Sequence, residues 1–138
     1  MPELKHSEIE KLVHKAIEVR DHAYAPHSHF YVGASILVDS GEFFVGCNVE
    51  NASYSLCQCA ERNAASAAVA AGHRDLRAVA ITSIGGVTPC GACRQFLAEF
   101  NIDMTVIMVD VIDGSQKIRK LSQLLPDAFD ASSLQTHP

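Results

Sequence analysis

The chain has 138 residues, enough for one domain with its own core and too few for a catalytic domain plus a separate recognition domain. Its composition, 48% hydrophobic and 20% charged, is typical of a globular protein. The net charge of -5 and the lack of a basic run argue against a surface that binds long nucleic acids. We therefore expect a single catalytic domain over residues 1–138, with no nucleic-acid partner.

The amino terminus is polar and contains neither a signal-peptide core nor a membrane span. The chain has five cysteines, an odd number, which favours free thiols or metal ligands over a disulfide framework. Both observations favour a cytoplasmic protein that has no membrane partner.

In chain order, the first predicted element is an amphipathic helix over residues 7 to about 22. Ser7–Glu10 forms a capping-box pattern, and apolar residues then recur at helical spacing. The segments Phe30–Val38 and Glu42–Val49 follow as strands of an antiparallel hairpin, joined by a short turn.

The second half of the chain begins with an alanine-rich helix, Cys59–Ala71, which ends at Gly72. Strands and helices then alternate, and they are predicted at Ala78–Ser83 (strand), Cys90–Phe100 (helix) and Met104–Asp110 (strand). This order indicates an α/β sandwich with a mixed sheet. Residues from about 132 to 138 are predicted to form a loose tail.

Three cysteines are placed to bind one metal ion. Cys90 and Cys93 are three residues apart at a predicted helix start, so both sulfurs lie on one face of the first turn. Cys59 also begins a helix, where the helix dipole stabilises a thiolate. Zinc prefers four tetrahedral ligands, so a fourth side chain or a water completes the shell. The Cys-x-x-Cys pair alone leaves a structural zinc site, a redox pair or inert thiols as alternatives.

Glu61, two positions after Cys59, favours a catalytic site. The three cysteines and this glutamate match the zinc site of nucleobase deaminases, in which a non-ligating Glu transfers protons. In such a site zinc activates the water that attacks C4 of a cytosine. The alternative for Glu61 is a surface ion pair. Arg62 can donate to thiolate sulfur and Gln95 can brace the same site, although both are equally compatible with solvated side chains.

Five segments of the chain are shared with a known family. They are Phe30–Ala34, Asn48–Tyr54, Cys59–Arg62, Pro89–Gln95, and Leu124–Pro126 followed by Phe129. Over nearly its full length the sequence resembles the homotetrameric zinc-dependent cytidine deaminase family. The resemblance implies a three-layer α/β/α sandwich around a mixed, mostly five-stranded sheet, with one zinc ion per chain. It also implies hydrolysis of cytidine and 2′-deoxycytidine to uridine and 2′-deoxyuridine in pyrimidine salvage, with release of ammonia.

The resemblance also implies which residues bind the nucleoside. The residues similar to Asn48 and Glu50 hydrogen-bond the ribose 3′-hydroxyl, and the two lie on the same side of a strand because they are two positions apart. Phe30 is expected to lie against the nucleoside. The backbone of Ala60 and the side chain of Glu61 are expected to recognise the pyrimidine.

Two aromatic residues are implied to act at subunit contacts. Phe129 is similar to a residue that reaches into a neighbouring subunit's site, and Tyr54 to one near the subunit boundary. The sequence departs from the family pattern at Cys57 and at Asp130. A ligand role for Cys57 competes in principle with that of Cys59, but only Cys59 is followed by Ala-Glu.

Other functions remain open at this stage. A deaminase of a modified nucleoside or of a nucleoside antibiotic would use the same zinc chemistry. An RNA- or DNA-editing deaminase is opposed by the acidic charge and the short chain. A structural zinc module would have a closed site with four ligands.

Overall fold

A computed structural model describes residues 3–134. The helices and strands, numbered in chain order, are α1 (His6–Arg20), β1 (Gly33–Val38), β2 (Phe43–Cys47), α2 (Ala60–Ala70), β3 (Leu76–Ser83), α3 (Gly91–Ala98), β4 (Thr105–Asp110), β5 (Gln116–Lys120) and α4 (Leu121–Leu124). Two short 3₁₀ turns lie at Tyr54–Leu56 and Ala131–Leu134. The order agrees with the predicted alternation of strands and helices.

The five strands form one mixed sheet in the order β2-β1-β3-β4-β5. β3 and β4 are parallel, and the other neighbouring pairs are antiparallel. The predicted hairpin is present, because β1 pairs with β2 and Ile36 lies opposite Phe44. The predicted mixed, five-stranded sheet is therefore confirmed.

Helices cover both faces of this sheet. Because successive residues of a strand point to opposite faces, Ile36 and Leu37 belong to two different cores. On one face α1 contributes Leu12 and Ala16 to a core with Leu37. On the other face α2 and α3 pack over Ile36 and its neighbours. The predicted α/β/α sandwich is confirmed.

Glycines on the first two strands let helices approach closely. A Cβ atom at Gly46 of β2 would lie 2.4 Å from the backbone nitrogen of Ala64 and 2.7 Å from the carbonyl oxygen of Ala60, both in α2. A Cβ atom at Gly33 of β1 would lie 2.0 Å from the carbonyl oxygen of Ala16 in α1. The position of α2 on the sheet therefore depends on the missing side chain at Gly46.

Several element boundaries differ from the sequence prediction. α1 begins at His6, and the Glu8 carboxylate accepts a hydrogen bond from the backbone N–H of Lys5 (2.9 Å), so the predicted box at Ser7–Glu10 was wrong by two positions. β1 begins at Gly33, and just before it the Val32 N–H and the Phe30 carbonyl oxygen bond to the side chain of Asn48 instead of to a neighbouring strand.

At the carboxyl end of the described chain, the position of β5 was not predicted; its five residues are all exposed, so no buried apolar face marks it in the sequence. Residues 132–134 of the predicted tail lie in a 3₁₀ turn, while residues 135–138 fall outside the described part. Within residues 3–134, no helix is long and apolar enough to cross a membrane.

Candidate metal centre and adjoining cavity

Three sulfur atoms meet where two helices begin. Cys59 is the N-cap of α2, Cys90 is the N-cap of α3, and Cys93 lies in the first turn of α3. The Sγ atoms of Cys59 and Cys90 are 3.9 Å apart, those of Cys90 and Cys93 are 3.4 Å apart, and all three lie within 4.8 Å of one another. Tetrahedral zinc with bonds of about 2.3 Å places its sulfur ligands about 3.8 Å apart. The three thiols therefore fit a zinc ion.

The charges around the sulfurs favour a thiolate. The pKa of Cys59 is lowered to about 5, chiefly because the Cys93 thiol donates a hydrogen bond to it and also because Arg62 does. The Nη2 atom of Arg62 lies 3.3 Å from the Cys59 sulfur. The pKa of Cys93 is raised by its hydrogen bond to Cys59 and by burial.

Glu61 lies beside the sulfurs in the first turn of α2. Its side chain is 5% exposed. Burial raises the pKa of this carboxyl, and the nearby Cys59 thiolate raises it further. A buried carboxyl group with a raised pKa binds a proton more readily than an exposed one, which suits it to taking up and releasing protons during a reaction.

A cavity of about 260 Å³ opens beside the sulfurs. Its lining combines metal-ligating, ionisable and apolar groups: Phe30, Val32, Asn48, Glu50, Cys57, Gln58, Cys59, Ala60, Glu61, Ile81, Val87, Thr88 and Cys90. A concave site with mostly apolar walls and a few polar groups is suited to a small organic molecule. Of the predicted substrate-binding residues, Phe30, Asn48, Glu50 and Ala60 lie on this wall.

The side chain of Asn48 holds part of the wall in place. Its Nδ2 atom donates to the carbonyl oxygen of Phe30 (2.8 Å), and its Oδ1 atom accepts from the backbone N–H of Val32 (2.9 Å). The Asn48 side chain thus takes the place of a strand partner for the Phe30 carbonyl oxygen and the Val32 N–H, while the Val32 carbonyl oxygen accepts from the backbone N–H of Asn48 (3.2 Å). Asn48 therefore orients Phe30. This is a second role for Asn48, besides the ribose contact that the sequence resemblance predicts.

The other predicted residues lie outside this cavity. Tyr54 is 76% exposed and its ring lies 6.2 Å from that of His27, while Phe129 is 60% exposed. The amide of Gln95 donates to the carbonyl oxygen of Phe129 (2.9 Å), so its contact is with the carboxyl-terminal segment. The subunit roles of the two aromatics and a role of Gln95 at the metal stay predictions. Arg62, by contrast, makes its predicted contact with sulfur.

The family model for the cytidine and deoxycytidylate deaminase zinc-binding region matches residues 6–109, a span that contains the three clustered cysteines and Glu61. The chain belongs to the cytidine deaminase family. Its metal is therefore zinc, and Cys59, Cys90 and Cys93 form the cluster suited to hold it.

Similar members of the cytidine deaminase family cover almost the whole chain. A cytidine deaminase of Sporosarcina psychrophila is 42% identical over 130 residues, which cover 92% of this chain and 95% of the relative. A probable cytidine deaminase of Dictyostelium discoideum is 39% identical over 134 residues, covering 95% and 90%.

Solved structures of this family show the same fold. The crystal structure of cytidine deaminase from Burkholderia pseudomallei superposes with a TM-score of 0.84 at 42% identity, covering 91% of this chain and 100% of that one. That of cytidine deaminase from Mycobacterium tuberculosis gives a TM-score of 0.76 at 39% identity, covering 88% and 96%.

Some cavity residues were not found from the cytidine deaminase motifs. Val87 and Thr88 precede Pro89 in a glycine-bearing loop, and Cys57 was considered from the sequence only as a competitor of Cys59 for the metal. Their placement results from the packing of distant loops, for which the sequence carries no periodic signal. Thr88 lies two positions before Cys90, and this spacing alone indicates that the loop lies near the metal ligands.

Proposed function

We propose that the protein catalyses hydrolytic deamination of cytidine and 2′-deoxycytidine, in which water replaces the 4-amino group and ammonia leaves. The observation that carries this proposal is the buried Glu61 carboxyl beside three clustered sulfurs, in the wall of a cavity that also presents Asn48 and Glu50. Membership of the cytidine deaminase family supports the same reaction.

The chemistry requires a metal and a proton carrier. Zinc held by Cys59, Cys90 and Cys93, one ion per chain, would supply a Lewis acid that makes a water molecule more acidic. Glu61 accepts a proton from the attacking water and delivers it to ring N3, which makes C4 more electrophilic. Glu61 then carries a second proton to the departing amine. Its raised pKa suits this repeated uptake and release.

The cavity wall supplies the substrate contacts. The ring of Phe30 and the apolar side chains of Ile81 and Val87 offer a surface for a flat pyrimidine. The Glu50 carboxylate offers acceptor oxygens for sugar hydroxyls, because its lowered pKa keeps it ionised. In the proposed complex, the backbone of Ala60 and the carboxyl group of Glu61 bind the base.

We also propose that the chain acts as a homotetramer in the cytoplasm, with residues 1–138 as one catalytic domain. Tyr54 and Phe129, the residues similar to subunit-contact aromatics of the family, expose large apolar surfaces, and Leu56 beside Tyr54 is 58% exposed. Large exposed apolar side chains close together, such as Tyr54 and Leu56 two positions apart, are typical of surfaces that a second chain covers. Free thiols as metal ligands agree with a reducing compartment.

The test combines zinc determination with an ultraviolet assay of cytidine loss on the purified protein. We expect about one zinc per chain and conversion of cytidine to uridine with one ammonia released per turnover. Zinc-loaded protein that leaves cytidine and 2′-deoxycytidine intact would contradict the proposal. Light scattering on the active fraction tests the oligomer, and a fully active monomer would contradict that part alone.

A further inference from the structure

The hydroxyl of Ser28 joins two groups of the cavity wall. It donates a hydrogen bond to Oε2 of Glu50, and it accepts one from the backbone N–H of Phe30 (3.0 Å). The sequence motifs give Ser28 no role in the site. Since Glu50 and Phe30 come from separate segments, this hydroxyl fixes their positions relative to each other.

The Glu50 carboxylate is almost fully occupied by this loop. Its Oε1 atom accepts from the backbone N–H groups of His27 (2.9 Å) and Ser28 (3.1 Å), while Oε2 accepts from the Ser28 hydroxyl. A carboxylate has about four acceptor positions. One position on Oε2 is left, and the direction in which it points is set by the Ser28 hydroxyl.

The backbone at this place is held in an uncommon conformation. His29, between Ser28 and Phe30, has a φ of 57°, in the left-handed region that non-glycine residues rarely adopt. Such conformations persist where surrounding contacts enforce them, and they occur often at binding sites. The bond from the Phe30 N–H to the Ser28 hydroxyl spans this residue and so holds the turn that directs Phe30 to the cavity.

We propose that Ser28 is a positioning residue for nucleoside binding, which aims the Glu50 carboxylate at a sugar hydroxyl and fixes Phe30 beside the base. This inference rests on the proposed function. In this proposal the exposed Ser28 hydroxyl determines how strongly the site prefers a nucleoside with 2′- and 3′-hydroxyls over one that lacks them.

Loss of this hydroxyl is not expected to unfold the loop. Backbone bonds tie the loop down independently of the Ser28 side chain: Tyr24 N–H to Asn48 C=O (2.9 Å), Glu50 N–H to Tyr24 C=O (2.8 Å), and His29 N–H to Ala25 C=O (2.9 Å). Ser28→Ala therefore removes the hydrogen bonds of the Ser28 hydroxyl and leaves these backbone hydrogen bonds in place.

The experiment measures kcat/KM for cytidine and for 2′,3′-dideoxycytidine in Ser28→Ala and Ser28→Thr. A matched control is Ser40→Ala, since the Ser40 hydroxyl makes the same kind of bond to a carboxylate, that of Glu42 (3.1 Å), in the β1–β2 turn away from the cavity. In Ser28→Ala we expect kcat/KM for cytidine to fall about 10- to 100-fold. For the dideoxy substrate the fall should stay below about threefold, because it lacks the 2′- and 3′-hydroxyls that Glu50 would bind and because Asn48 still holds the Phe30 carbonyl oxygen (2.8 Å) in this variant.

The preference for cytidine should then nearly disappear in Ser28→Ala and persist in Ser28→Thr and Ser40→Ala. An equal loss for both substrates, or an unchanged preference, would overturn the positioning role. The same loss of preference in Ser40→Ala would overturn it too. If the wild-type protein deaminates neither cytidine nor 2′-deoxycytidine, the proposed function itself fails, which is a separate result.

Discussion

Replacing Gly46 with Ala should disturb the metal centre from outside the cavity. The new Cβ atom would meet the backbone of α2, at 2.4 Å from the nitrogen of Ala64 and 2.7 Å from the carbonyl oxygen of Ala60. Backbone atoms cannot rotate away as a side chain can. The helix must therefore move away from β2, and Cys59 at its N-cap and Glu61 in its first turn move with it.

The size of the effect follows from the contact distances. Ordinary van der Waals contact of a Cβ atom begins at about 3.4 Å, so α2 must move by about 1 Å at this point. Such overpacking costs about 1–3 kcal/mol of unfolding free energy. For a chain of this length that lowers Tm by roughly 4 °C per kcal/mol. A catalytic group misplaced by about 1 Å can lose about 10²-fold in rate.

The assay measures Tm, bound zinc and turnover per folded molecule well below the melting transition. Gly33→Ala is the matched control, because its Cβ atom would meet the Ala16 carbonyl oxygen of α1 at 2.0 Å, on the other face of the sheet. Both variants should lose stability, but only Gly46→Ala should lose most of its turnover at low temperature. Full zinc content and turnover in Gly46→Ala, or an equal loss in Gly33→Ala, would refute the reasoning.

Two buried hydroxyls and one arginine give further expectations. Within residues 3–134 the buried Ser35 hydroxyl has no hydrogen-bond partner, so Ser35→Ala should leave the unfolding free energy unchanged or raise it by up to about 1–2 kcal/mol, measured by urea unfolding. The equally buried Thr82 hydroxyl donates to the Ala16 carbonyl oxygen (3.0 Å), so Thr82→Val should lower the unfolding free energy by about 1 kcal/mol. A clearly destabilised Ser35→Ala or a stabilised Thr82→Val would contradict this. Arg62→Ala removes the donor to Cys59 and should weaken zinc binding about 10- to 100-fold in a chelator competition, whereas unchanged affinity would refute that role.

The metal centre was predictable because its signal is local. Cys90 and Cys93 are close in sequence. Cys59 lies at a predicted helix start, where the helix dipole stabilises a thiolate. The structure adds a distance that spacing cannot supply, the 3.9 Å between the sulfurs of Cys59 and Cys90. That distance depends on how α2 and α3 pack on the sheet, and hence on residues such as Gly46.

The cavity wall was only partly predictable. Asn48 and Glu50 were recognised from a family pattern, yet the contacts that fix them come from the loop at 27–32 and have no periodic signature. β5 was missed for a related reason, since an edge strand with every residue exposed shows no alternation of apolar and polar residues. The predicted N-terminal cap of α1 was two positions too late. The Glu8 carboxylate accepts from the backbone N–H of Lys5, whereas the sequence pattern at Ser7 had suggested a cap two residues further on.

The central claim is that Glu61 transfers protons and does not hold the metal. Glu61→Gln keeps the size and hydrogen-bonding reach of the side chain but removes its basicity, so zinc content and Tm should stay near those of the wild type. General acid–base transfer is worth about 10²–10⁴-fold, and Glu61 serves more than one proton transfer, so turnover of cytidine should fall by at least about 10²-fold. Glu10→Gln, on the exposed face of α1, is the control and should retain full turnover. Near-normal turnover of cytidine in zinc-loaded Glu61→Gln would contradict the account.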